Sequence, residues 1–161
     1  MDCHYKSKSS AETKKLATLL AKEILKFPIN QNKNKKENAF IIALKGDLGS
    51  GKTTFVQGFA NGLGIKKNIV SPTFLIIKNY KLKNKNYKNF YHLDCYRIKK
   101  IKELNSLGFK KIITEPENIV LIEWANKIKK SLPKNTLWVC FNHGQKENER
   151  TIKIYENASS Y

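Results

Sequence analysis

The sequence predicts an α/β layered fold: a largely parallel sheet flanked by helices, with antiparallel edge strands. Three observations predict it. Continuous apolar runs, Ala39–Leu44 and Ile119–Ile122, read as strands buried on both faces. Strand-like runs alternate with helical patterns along the chain. A glycine-rich turn follows the first apolar run and opens a helix. A chain of 161 residues is the usual size of one domain, so residues 1–161 read as a single unit.

Taken in order, residues 1–8 are polar and are expected to be flexible. Ser9–Lys26 reads as a helix. Ser9 and Glu12 have capping-box spacing, Leu16, Leu19, Leu20, Ile24 and Leu25 share a face, and Pro28 ends it. Residues 30–38 form a polar, lysine-rich connector. After the strand Ala39–Leu44 and the glycine turn, a helix runs from about Thr53 to Leu63, with Gly64 as its C-cap. Ile69–Pro72 is a short extended piece and Phe74–Ile77 a second apolar strand. The lysine/asparagine-rich stretch 78–89 is expected to be a mobile loop or hairpin tip. Phe90–Leu93 reads as a strand ending in Asp94, Ile101–Leu107 as a helix closed by Gly108, and Ile119–Ile122 as a strand ending in Glu123. Leu137–Phe141 and Thr151–Tyr155 have no clear helix between them and are expected to pair antiparallel at one edge.

Composition narrows the function classes. The formal net charge is +18, yet of 31 basic residues only Arg97 and Arg150 are arginine. Nucleic-acid sites favour the forked guanidinium, and these lysines are scattered among asparagines. The charge therefore reads as compositional rather than as a specific RNA footprint. Cys3, Cys95 and Cys140 lie far apart and form no CxxC pair, which points to reduced thiols and a cytoplasmic location. No apolar run is long enough to span a bilayer, so no membrane partner is expected.

The chemistry concentrates in Gly46-Asp47-Leu48-Gly49-Ser50-Gly51-Lys52-Thr53, a phosphate loop of the Gly-x4-Gly-Lys-Thr type in the strand-to-helix context that it requires. The glycines let backbone amides turn inward toward phosphate oxygens, at the positive end of the helix dipole. Gly49, Ser50, Gly51, Lys52, Thr53 and Thr54 are the candidate nucleotide-binding residues, for ATP with Mg²⁺. Lys52 is expected at the β- and γ-phosphates, the Thr53 hydroxyl on Mg²⁺ and Thr54 near the α-phosphate. This identifies a P-loop NTPase. Such a loop needs an acidic partner for the metal. Asp94 and Glu123 each follow an apolar strand, where ligands sit in parallel sheets. Asp47, inside the loop, is expected to face solvent. Arg97 reads either as a bidentate anion contact or as a surface arginine. Trp124 reads as a packing lid, and His92 and His143 read as structural or incidental.

Four blocks carry a resemblance to a known family: Gly46 to Thr54, Ser71-Pro72-Thr73-Phe74, His92-Leu93-Asp94-Cys95-Tyr96-Arg97, and Leu121-Ile122-Glu123-Trp124. In this order and spacing, with Leu107 to Phe109 as a further match, the chain resembles the bacterial tRNA threonylcarbamoyladenosine biosynthesis ATPases, the TsaE (YjeE) family. The resemblance implies Thr53 and Glu123 as magnesium ligands and Asp94, with Lys52, as catalytic groups near the γ-phosphate. It makes residues 71–74 a switch-like segment and Arg150 a residue near the adenine. It also implies a weak, partner-dependent ATPase acting with TsaB and TsaD on adenosine 37 of ANN-reading tRNAs, with tRNA met indirectly through the complex. Cys95 stands where the family usually has an aliphatic residue.

Two other readings compete. A small P-loop kinase of a nucleotide or metabolite would need more arginines and a substrate-binding insertion. A basic RNA-binding module with a vestigial loop would not need an intact set of Lys52, Thr53, Asp94 and Glu123.

Overall fold

Alternation along the strands decides which side chains reach each face of the sheet, and so which reach the site. The computed structural model describes residues 2–29, 38–67, 69–70 and 75–156. Its strands are β1 (Asp2–Ser7), β2 (Phe40–Lys45), β3 (Ile77–Lys81), β4 (Asn89–Asp94), β5 (Asn118–Glu123), β6 (Leu137–His143) and β7 (Arg150–Glu156). They form one sheet of 7 strands in the order β1-β7-β6-β2-β5-β4-β3. The central strands β6, β2, β5 and β4 run parallel. On the flanks β3 is antiparallel to β4, β7 to β6 and β1 to β7. The sheet is mixed, with the expected parallel centre and antiparallel edges.

On one face Ile42, Leu44, Phe90, Ile119 and Leu121 pack beneath α1 (Ser10–Lys26) and α2 (Lys52–Gly62). On the other, Ile41, Ala43, Leu93, Val120 and Ile122 meet α3 (Ile101–Ser106), α4 (Phe109–Thr114) and a 3₁₀ helix, Ala125–Ser131. The middles of β2 and β5, Ile41–Leu44 and Ile119–Ile122, are continuously apolar because both of their faces are covered. Each fully buried Leu or Phe on these faces contributes about 1.5–3 kcal/mol relative to exposure.

Helix α1 starts as its sequence demands. The Glu12 amide donates to Ser9 Oγ at 3.2 Å, and the Glu12 carboxylate accepts from the Lys8 amide at 2.7 Å, one residue before the cap. It stops at Phe27, which is extended (φ -69, ψ 122) as a residue before proline prefers. Helices α1 and α2 pack closely through Gly58, where a Cβ would lie 2.4 Å from the Lys14 carbonyl oxygen. Thr18 Oγ1 donates to the Gly58 carbonyl at 2.8 Å across the same contact.

Four expectations need correction. Asp2–Ser7, within the stretch expected to be flexible, form strand β1, because β7 offers an open ladder from Arg150 to Tyr155. The stretch 78–89, expected to be a mobile loop or hairpin tip, is the hairpin and not a mobile loop: it supplies most of β3, the tip and the start of β4. Its tip is held by burial of Leu82 and Tyr87 and by the Leu82 amide donating to the Lys88 carbonyl at 2.9 Å. The strand expected at Phe74–Ile77 begins only at Ile77, since Ile76 has a left-handed backbone (φ 62) that no strand continues through. The closing pair β6–β7 is antiparallel but not at the edge, which β1 occupies. The segment Ser71-Pro72-Thr73-Phe74 lies outside the described residues.

Candidate functional site

The glycine turn leaves the C-terminal end of β2 and enters α2, between the ends of neighbouring strands. Its helix opens at Gly51 in a left-handed conformation (φ 100). Arg150 lies directly over that residue, and a Cβ on Gly51 would come within 2.7 Å of its Nε. Only glycine meets both the torsion and the close approach.

A cavity of about 350 Å³ opens above this turn, within the size range of small-molecule sites. It is lined by Leu48, Gly49, Gly51, Lys52, Thr53, Thr54, Asp94, Tyr96, Glu123, Trp124 and Arg150. Of the described residues expected to bind nucleotide or metal or to act in catalysis, only Ser50 is missing from the wall. It is fully buried beneath the loop, its amide donating to the Asp47 carbonyl at 3.2 Å. Asp47 is exposed, and Arg97 is exposed and outside the lining.

The fold explains how distant residues meet here. Asp94 and Glu123 end adjacent parallel strands in register, and both point to the α2 face. The Cys95 amide donates to the Glu123 carbonyl at 3.0 Å, tying the two strand ends together. Arg150 is the first residue of β7, but that strand is antiparallel, so its start lies at the same end of the sheet. Arg150 Nε donates to the Ser50 carbonyl at 3.1 Å.

Lys52 is nearly buried, and its Nζ donates to the carbonyls of Gly46 and Asp47, 2.7 Å each. The same ammonium sits 4.1 Å from the centroid of the Trp124 ring, a cation–π contact. Burial pulls its pKa below the usual 10.5, opposed by the nearby charges of Glu123, Asp47 and Asp94. An anionic phosphate placed here would oppose that pull further. Trp124 itself has a left-handed backbone (φ 57), which costs about 1–3 kcal/mol for a bulky residue. That turn swings the indole over Lys52 and against Tyr96, with ring centroids 5.0 Å apart.

Thr53 Oγ1 donates to Glu123 Oε2 at 3.1 Å, and the other carboxylate oxygen, Oε1, lies 2.8 Å from His92 Nε2. Asp94 is 5% exposed and accepts from the Tyr96 amide at 2.8 Å. Lys127 Nζ donates to the carbonyls of Tyr96 and Ile98, holding the turn that follows Asp94.

The donors available for a metal are oxygens. Mg²⁺ takes such ligands, keeps several waters and uses one or two carboxylates together with substrate phosphates. Among the described residues, no group of three or more His, Cys, Asp and Glu side chains is arranged to hold a metal. Thr53 and Glu123 therefore fit an ion that arrives with a phosphate ligand rather than one held in an all-protein cage.

Sequence reasoning missed two features. His92, read as structural or incidental, is fully buried against Glu123. Its signal is parity: His92 and Asp94 are two apart in a strand, so they share a face. Tyr96 and Leu48 also line the cavity; both fall inside the motif blocks, which give neither a role.

Comparison with known proteins gives the family. The family model described as threonylcarbamoyl adenosine biosynthesis protein TsaE matches residues 7–152. The tRNA threonylcarbamoyladenosine biosynthesis protein TsaE of Bacillus subtilis is 40% identical over 118 residues, covering 73% of this chain and 71% of the relative. That of Rickettsia felis is 38% identical over 149 residues, covering 92% and 77%. The crystal structure of Bacillus subtilis YdiB superposes with a TM-score of 0.69 at 28% identity, covering 98% of this chain and 87% of that one. The loop, the two strand-end carboxylates and these matches together establish that the chain belongs to the TsaE family of threonylcarbamoyl adenosine biosynthesis proteins.

Proposed function

We propose that this chain binds and hydrolyses Mg-ATP as the ATPase subunit that works with TsaB and TsaD in forming N6-threonylcarbamoyladenosine at position 37 of ANN-reading tRNAs. The observation that carries the nucleotide half is the hydrogen bond from Thr53 to Glu123, 3.1 Å long. By giving its proton to the carboxylate, the Thr53 hydroxyl presents only lone pairs to the cavity, as a metal ligand must.

The residues take the following parts. Backbone amides from Gly49 to Thr53 and the start of α2 hold phosphate oxygens. Lys52 exchanges its two carbonyl acceptors for the β- and γ-phosphates. Thr53 and Glu123 hold Mg²⁺, which when bound neutralises charge on those phosphates. Asp94 orients the attacking water or, as the family resemblance implies, acts on the switch-like segment. Thr54 lies toward the α-phosphate and Arg150 toward the adenine. Trp124 and Tyr96 cover the loop and exclude water from Lys52.

The pathway half rests on family membership, and so do the partners. The thiols of Cys3, Cys95 and Cys140 are all free, in keeping with the reducing cytoplasm where we place the reaction. ATP hydrolysis measured alone, with candidate kinase substrates and with TsaB and TsaD added is the decisive comparison. Slow turnover alone that rises with the pair is expected. Phosphoryl transfer to a small molecule would install a kinase instead, and no turnover in any arm would remove the ATPase.

A further inference from the structure

We infer that His92 is a positioning residue for the metal site: it fixes the Glu123 carboxylate so that Glu123 in turn aims Thr53 at the metal. This rests on the proposed metal role of Glu123 and goes one residue deeper.

Three observations carry it. His92 and Glu123 are 0% and 2% exposed and lie on neighbouring strands, facing the same side of the sheet. Their contact is 2.8 Å, and a carboxylate can only accept, so Nε2 carries the hydrogen. The other ring nitrogen, Nδ1, has no hydrogen-bond partner among the described residues. The bond to Glu123 is thus the one polar contact that orients the ring there.

The consequence follows from atom counting. Glu123 has one oxygen on His92 and the other on Thr53. With both held, the carboxylate plane is set, and the Thr53 hydrogen has a fixed acceptor. Without the His92 donor, Oε1 is a buried acceptor with no partner, and the carboxylate rotates to find one. The Thr53 lone pairs then lose their aim. Loss of a group that orients a metal-binding side chain in this way typically costs about 10–100-fold in metal affinity or activity.

The test uses the full chain with His92→Leu, His92→Asn, His92→Gln and Glu123→Ala. A Gln amide places its nitrogen near the Nε2 position; the shorter Asn amide does not reach. For each variant the Mg²⁺ concentration that half-saturates ATP binding is measured, along with ATP affinity in EDTA and the electron paramagnetic resonance spectrum of bound Mn²⁺ with ADP. His92→Leu and His92→Asn are expected to raise the Mg²⁺ requirement by about 10–100-fold while leaving affinity in EDTA close to that of the parent. His92→Gln is expected to restore most of it. If Leu does not fold, the contrast between Asn and Gln decides. Should Glu123→Ala raise the requirement while His92→Leu and His92→Asn leave it unchanged, the role of His92 falls and that of Glu123 stands. An equal loss of affinity with and without Mg²⁺ in the His92 variants, with no rescue by Gln, would mark the histidine as merely structural. If Glu123→Ala itself leaves the requirement unchanged, the metal assignment of Glu123 falls and takes this inference with it.

Discussion

Lys52 is the cation that we propose binds the phosphates, and its present hydrogen-bond partners are two backbone carbonyls. Lys52→Ala is expected to abolish measurable turnover and weaken ATP binding; titration calorimetry with Mg-ATP checks it, and unchanged affinity would count against the site. Asp94→Ala is expected to lower turnover by about a hundredfold to a thousandfold with a smaller effect on affinity, the size seen when one preorganised electrostatic group is removed. Steady-state rates beside binding constants separate those two effects. Cys95 offers a different check. Burial, with the Asp94 charge second, pushes its thiol from 9.0 up to about 12, while Lys127 opposes. The unfolded chain releases that proton above pH 9.0 and the folded chain keeps it to about 12, so this thiol's contribution to stability falls as pH rises through that window. At pH 8 a thiol reagent should therefore modify exposed Cys3 promptly and Cys95 only after unfolding, as mapped by mass spectrometry. Prompt modification of Cys95 would contradict its burial.

The contact between α1 and α2 holds the phosphate-loop helix in place, and it depends on small residues. Gly58→Ala gains about 1 kcal/mol in helix propensity. The added methyl would lie 2.4 Å from the Lys14 carbonyl oxygen and 2.6 Å from its Cα, and backbone atoms cannot step aside as a side chain can. Overpacking of this kind costs about 1–3 kcal/mol or more, so a net loss is expected. Chemical denaturation would measure it, and a rise in stability would show that the helices can separate at no cost. The same scale shows what is legible in a sequence. α1 is, because its cap, apolar stripe and terminating proline are all local. α4 is not, because Gly108 reads as a stop; in the fold it ends α3 and, with φ 83, turns the chain straight into a second short helix. β1 is not legible either, since polar alternation reads as a strand only beside its partner β7.

Across the whole molecule, the phosphate loop and both strand-end carboxylates could be read before the fold because each is defined by its own neighbours in sequence. The His92–Glu123 pair could not, since it depends on which strands lie side by side. The charge of +18 also belongs to this scale. Some lysines meet carboxylates at the surface, as Lys6 does with Glu149 and Lys153 with Asp2. Most basic residues are exposed lysines outside the cavity, with little aromatic surface among them to stack on bases. The isolated chain is expected to bind tRNA weakly and without selectivity, with affinity falling steeply between low and physiological salt through counterion release. Filter binding to an ANN-reading tRNA and an unrelated RNA at two salt concentrations checks this. Strong discrimination at physiological salt would move tRNA recognition onto this subunit.

Strand β1 has a practical bearing on how the protein is handled. Its last residue, Ser7, pairs in register with Arg150, and Arg150 donates to the Ser50 carbonyl in the loop. Ser7 also shares a buried hydrogen bond with Thr13 at the start of α1, 2.8 Å long. A purification tag or fluorophore fused directly against Asp2 therefore loads a strand only two contacts from the glycine loop. Nucleotide affinities taken from such a fusion would report the label together with the loop. A spacer ahead of Asp2, or a label on the exposed 3₁₀ residues Lys129 or Lys130, keeps the two apart.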